Sequence, residues 1–201
     1  MKVYSLILLL AIIFGLMFQS MAQVDSLKIE KVKKPFKIMG YGAVVYERAL
    51  VSSQHTNSFG IQTAVILNEH LQLGFYGLNQ SNTQYRRQLI FPNTFQMNYK
   101  HAGMLIGYRT NFGKIFGFNI ESKLGFGEAK WDQVETGRPF LADKFRMFHL
   151  QVSIDYLLTR FIALNAFFGY RWMDDLDITG LTNEDFKGVN YGLMIKMGVF
   201  K

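Results

Sequence analysis

The 201-residue chain has no cysteine, and charged side chains make up only 18% of it. The first absence removes disulfide frameworks, thiolate metal sites and lipoprotein attachment. Beyond residue 22 there is also no apolar run long enough for a membrane helix, although 49% of the residues are hydrophobic and there are 19 Phe and 10 Tyr. A chain of this kind that enters a bilayer must enter it as strands. The formal charge of +7 is spread along the sequence, with a single tight run at Lys31, Lys33 and Lys34. Basic residues scattered in this way, without an interleaved aromatic platform, argue against nucleic-acid binding.

What is present begins with MKVYSLILLLAIIFGLMFQSMAQ, in which one lysine precedes an apolar run and Ser20 and Ala22 occupy the small-residue positions of a cleavage site. This is the pattern of a secretory signal peptide over 1–22. A polar, basic leader follows over 23–36, closed by Pro35, and then a single domain over 37–201.

That domain is organised around 145–172, FRMFHLQVSIDYLLTRFIALNAFFGYRW. Phe148, Leu150, Val152, Ile154 and Tyr156 share one face, while Met147, His149, Gln151, Ser153 and Asp155 share the other. Only a strand has this period of two. After a turn near 158–160 the alternation resumes, with Ile162, Leu164, Ala166, Phe168, Tyr170 and Trp172 set against Asn165, Phe167, Gly169 and Arg171. Each arm is about ten residues long, the length a tilted strand needs to cross a bilayer.

Similar alternation predicts strands near 37–46, 58–67, 70–79, 98–109, 115–129 and 187–201, about eight in all with the central hairpin. The facing of the first strand is left open by its pattern, with Met39, Tyr41, Ala43 and Val45 on one side and Gly40 and Gly42 on the other. Connections alternate long and short, including a polar stretch over 47–57 and tight turns near 68–69 and 111–114. This predicts an all-β, transmembrane up-and-down antiparallel barrel with short periplasmic turns and longer extracellular loops.

A soluble ligand-binding barrel would share the period with its apolar stripe turned inward. Glycine decides between the two. Gly60, Gly74, Gly103, Gly107, Gly117, Gly125, Gly127, Gly169, Gly188, Gly192 and Gly198 all fall on the polar side of their strands, with Gly77 the exception. Glycines weaken a solvent-exposed strand, but beside large polar groups they fit the crowded axis of a narrow barrel. Tyr108, Phe116, Phe126, Tyr156, Tyr170, Trp172 and Tyr191 lie near strand ends on the apolar face, as interfacial aromatics do.

On these features the chain resembles the small outer-membrane barrels of the OmpA and OmpX type. The resemblance is architectural and extends over nearly all of 23–201. It implies residence in the outer membrane of a Gram-negative bacterium, with outer-membrane lipid and lipopolysaccharide as surroundings and envelope proteins as partners through the loops or the basic leader. The Ala22–Gln23 signal ending resembles those of the Bacteroidota. One departure concerns the last strand, where Phe200 is penultimate and off the lipid-facing parity.

The inward set is His101, Arg109, Glu121, Lys123, His149, Gln151, Asp155, Arg171 and Lys196. Both signs of charge are present, so a web of ion pairs filling the barrel is the expected reading, ahead of a narrow polar pore. Catalysis is disfavoured. His149, Ser153 and Asp155 share one strand, which separates His149 from Ser153 by about 13 Å, too far for a nucleophile and its base. No His-x-Ser pair faces lipid, as a lipid A deacylase would require. The acidic stretch with Asp174, Asp175, Asp177, Glu184 and Asp185 fails the calcium-loop pattern, since a twelve-residue count from Asp175 ends on Phe186. No cofactor or metal is expected. Arg86 and Arg87 are candidates for phosphate contact at the surface.

Overall fold

The structure is a computed structural model that describes residues 36–52, 54–90 and 93–200, with side chains described for these except 81–90. The predicted signal peptide, the predicted leader except Phe36, and the side chains of Arg86 and Arg87 lie outside the described residues.

Eight antiparallel strands close a barrel. They are β1 (Ile38–Val51), β2 (Gln54–Leu67), β3 (Leu71–Ile90), β4 (Asn93–Phe112), β5 (Phe116–Gln133), β6 (Pro139–Leu157), β7 (Ile162–Asp174) and β10 (Gly188–Val199). Two short strands, β8 (Asp177–Ile178) and β9 (Leu181–Thr182), and a single helical turn, α1 (Asn183–Phe186), lie between β7 and β10. Each barrel strand pairs with its chain neighbour, and β1 pairs with β10 from Gly40↔Val199 to Ala49↔Asn190, which closes the ring.

At one end of the barrel the connections are tight. Asn68 and Glu69 both take positive φ, the geometry of a two-residue hairpin whose twist matches its strands, and Gly113 does the same between β4 and β5. The opposite end differs from the expected long loops. Residues 47–51 and 54–57 are ladder, with β1 paired to β2 as far as Val51↔Gln54. β3 and β4 run 20 residues each, and β5 and β6 pair out to Asp132↔Pro139. A polar segment reads as a loop when a bilayer sets the strand length, but beyond the apolar zone the same hydrogen-bond ladder continues in water.

The alternating facing holds around the ring: Leu164 is 43% exposed and Asn165 only 1%. Phe59, Ile61, Phe75, Met104, Leu124, Phe126, Ile154, Phe168 and Leu193 point outward. Outward rings cluster at two levels, with Phe116 against Tyr156 (5.4 Å) near the turns and Tyr170 against Trp172 (4.6 Å) toward the other end. From Phe116 to Phe126 a strand rising about 3.3 Å per residue and tilted about 40° climbs roughly 25 Å, the height of a bilayer's apolar band.

β1 is reversed. Its apolar residues Met39, Tyr41, Ala43 and Val45 face the lumen, and Gly40 and Gly42 face outward. The inward glycines elsewhere permit close approach: a Cβ at Gly103 would overlap the Leu124 carbonyl of the neighbouring strand, and one at Gly60 the Gly77 carbonyl. Side chains there would force the curled sheet apart.

Candidate functional site

Every side chain that faces the axis must find partners without bulk water, so the lumen is where this sequence carries its chemistry. The inward parity of β4, β5, β6, β7 and β10 delivers His101, Arg109, Glu121, Lys123, His149, Gln151, Asp155, Arg171 and Lys196 into it, all buried. They do not form one cluster, and three layers follow one another along the axis.

Nearest the turns, Asp155 is the hub. It lies 2.9 Å from Lys196 Nζ and 3.7 Å from Arg109 Nε, and accepts hydrogen bonds from Asn165 Nδ2 (2.7 Å) and Asn119 Nδ2 (3.1 Å). Glu121 accepts from Gln151 Nε2 (2.7 Å) and Gln62 Nε2 (3.2 Å), with Lys196 Nζ at 3.9 Å. Gln62 also donates to the Tyr41 hydroxyl, which donates in turn to Gln72. Phe200 turns inward and is buried, stacking near Tyr41 and over the Arg109 guanidinium at 5.3 Å. Its off-parity position therefore closes the floor of this layer.

The middle layer is sparsely paired. Lys123 Nζ lies over the Tyr76 ring (5.4 Å) and the Phe167 ring (5.7 Å), and has no hydrogen-bond partner among the described residues. Both nitrogens of His101 and Nε2 of His149 share that condition. Among the described residues four buried cations, Arg109, Lys123, Arg171 and Lys196, stand against three buried carboxylates, Glu47, Glu121 and Asp155. Of these cations Lys123 is the one with no carboxylate within 4.0 Å, and it packs against ring faces.

The third layer is a lid. Arg171 donates to the Tyr99 hydroxyl (2.6 Å) and the Phe186 carbonyl (3.1 Å), with Glu47 3.7 Å away. Above it Phe95, Met97, Trp131, Phe145, Leu176, Ile178, Leu181 and Phe186 form an apolar plug. Phe186 meets Tyr99 edge-on at 5.5 Å, and Trp131 Nε1 donates to the Thr179 carbonyl (3.1 Å). Three carboxylates of the acidic stretch are engaged at the edge of this lid. Asp185 completes a capping box with Thr182, Asp175 pairs with Arg146 at 2.5 Å and Glu184 pairs with Lys187.

Sequence reasoning missed Glu47, assigned to a loop although it continues the inward parity of Tyr41, Ala43 and Val45, and the amides Gln62, Gln72, Asn119 and Asn165. It also missed the lid's apolar residues, which have no regular spacing. His149 and Ser153 stay four residues apart on β6, and the Ser153 hydroxyl accepts from Asn119 and Asn165 instead.

No protein-family model and no curated protein matches the sequence. Solved structures do match the fold. Neisserial surface protein A aligns with a TM-score of 0.61 at 12% identity, covering 84% of this chain and all of that one. The N-terminal β-barrel domain of Pseudomonas aeruginosa OprF aligns at 0.54 and 8% identity, covering 79% and 96%. The fold is that of the small outer-membrane barrels. A barrel of this size has room inside for side chains and little else. In this barrel that space is divided into a paired floor, a middle layer, the waist, with few pairs and an apolar lid.

Proposed function

We propose that the protein is a sealed, non-enzymatic outer-membrane barrel whose water-facing strand extension serves as an interaction surface, working as an accessory subunit of an envelope complex. On this reading 1–22 is cleaved on export, 23–36 is a basic periplasmic leader available to envelope partners, and lipopolysaccharide surrounds the loop end. The observation that carries the proposal is the occupancy of the lumen: the Asp155 network at the floor and the Phe186 plug at the top fill the axis at both ends. An ion crossing the barrel would have to displace both.

Planar-bilayer recording of the purified, folded protein tests this. A flat record is expected, and steady unitary conductance would favour a narrow channel instead. Lipid A mass spectra from cells with and without the protein should be identical, because the Ser153 hydroxyl is hydrogen-bonded to Asn119 and Asn165 and, among the described residues, to no histidine or carboxylate. Purification from native envelopes in mild detergent should bring down discrete companions, and a barrel that emerges alone would remove the subunit role.

A further inference from the structure

Two outward glycines have no structural reason to be glycine. A Cβ at Gly42 would meet nothing within 4 Å, and one at Gly77 only the Ala102 Cβ at 3.9 Å. Neither has positive φ. A glycine inside a strand costs stability, and these two gain no close approach in return. What they do is keep the lipid-facing surface indented. Gly77 lies where two grooves meet. One, of about 600 Å³, is lined by Gly42, Val44, Ile61, Thr63, Phe75 and Met197. The other, of about 550 Å³, continues past Phe59, Ala102 and Phe126 to Lys100, Glu128 and Lys144 at the loop-end margin. The register sets those last three side by side, Lys100 opposite Glu128 and Glu128 opposite Lys144. Lys100 pairs with Glu128 at 3.2 Å, whereas the Lys144 ammonium has no ion pair among the described residues. Next along the strands, outward Lys130 and Arg146 are already held by Asp132 (3.1 Å) and Asp175 (2.5 Å), so Lys144 is the cation at the groove mouth without a carboxylate partner among the described residues.

We propose that this groove is a binding site for one phosphorylated glycolipid of the outer leaflet, of the lipid A class. An acyl chain lies along Phe126, Ala102 and Gly77 toward Gly42, and a headgroup phosphate meets Lys144 and Lys100. The order of chemistry along the groove matches that amphiphile, apolar through the belt and positive where the belt ends. The loop end faces the outer leaflet, where the anionic amphiphile is the glycolipid. The inference rests on the outer-membrane reading above.

The test is native mass spectrometry of the folded barrel titrated with lipid A, dephosphorylated lipid A or phosphatidylglycerol. The wild type should retain one lipid A, with weaker retention of the other two. Gly77→Leu, which fills the junction, should lower lipid A retention at least about tenfold, equivalent to losing burial of about two methylene groups. Ala102→Leu provides a second obstruction should the first variant misfold. The K100Q/K144Q pair should abolish the preference for the phosphorylated form. Unchanged retention in a folded groove variant, or equal binding of the dephosphorylated lipid, overturns the site. Preference for phosphatidylglycerol overturns the choice of glycolipid. A chain that does not run as a heat-modifiable folded barrel would defeat the outer-membrane reading itself, whereas a folded barrel without lipid retention defeats only the groove.

Discussion

Lys196 and Lys123 are both buried to 1% exposure or less in the same lumen, yet they are held in different ways. Lys196 sits in the floor between Asp155 and Glu121. Lys123, one layer up, faces ring surfaces and has no carboxylate within ion-pairing distance among the described residues. The contrast separates two ways of filling a narrow barrel. Paired charge fixes the arrangement of neighbouring strands, because moving either partner strands the other. A cation over aromatic faces fills volume and imposes little geometry, which leaves the waist the layer most tolerant of substitution.

The comparison is broken most severely at its hub. Asp155→Ala removes the carboxylate that serves Lys196, Arg109 and two amides, and should cost about 3–5 kcal/mol in chemical unfolding of the reconstituted barrel. Phe186→Ala empties the lid core and should cost roughly 3 kcal/mol, with protease cleavage near 175–187 appearing in the folded protein. Lys196→Met leaves Asp155 with Arg109 and its amide donors, so a smaller loss of about 2 kcal/mol is expected. Lys123→Met should shift stability by no more than about 1 kcal/mol and can raise it, since the substitution removes a desolvated amine that makes no direct ion pair among the described residues. Equal losses for the two lysine variants would show that the layers do not differ in the way described.

The period of two made the fold legible because a barrel wall has two unlike environments and each strand alternates between them. Glycine supplied the direction of the alternation, since inward positions such as Gly60 and Gly103 tolerate no Cβ. β1 escaped this logic because its lumen-facing residues, Met39, Tyr41, Ala43 and Val45, are themselves apolar and cover the floor and waist from one side. Apart from Glu47, which fell in a segment read as a loop, the charged and histidine members of the lumen could be selected by parity alone. Which of them meet could not, because Asp155 and Arg109 reach past the intervening β5, and Arg171 and Glu47 past β10, at spacings no local pattern encodes. The lid was least visible. Leu176, Ile178, Leu181 and Phe186 sit among carboxylates, and their common burial depends on a chain reversal between β8 and β9 that has no periodic signature.

Because among the described residues the ladder persists above the outer aromatic level, this end of the barrel is a hydrogen-bonded parapet of paired strands. A companion docking there would have little conformational freedom to quench, so a modest contact area could still give a long-lived complex with one fixed orientation.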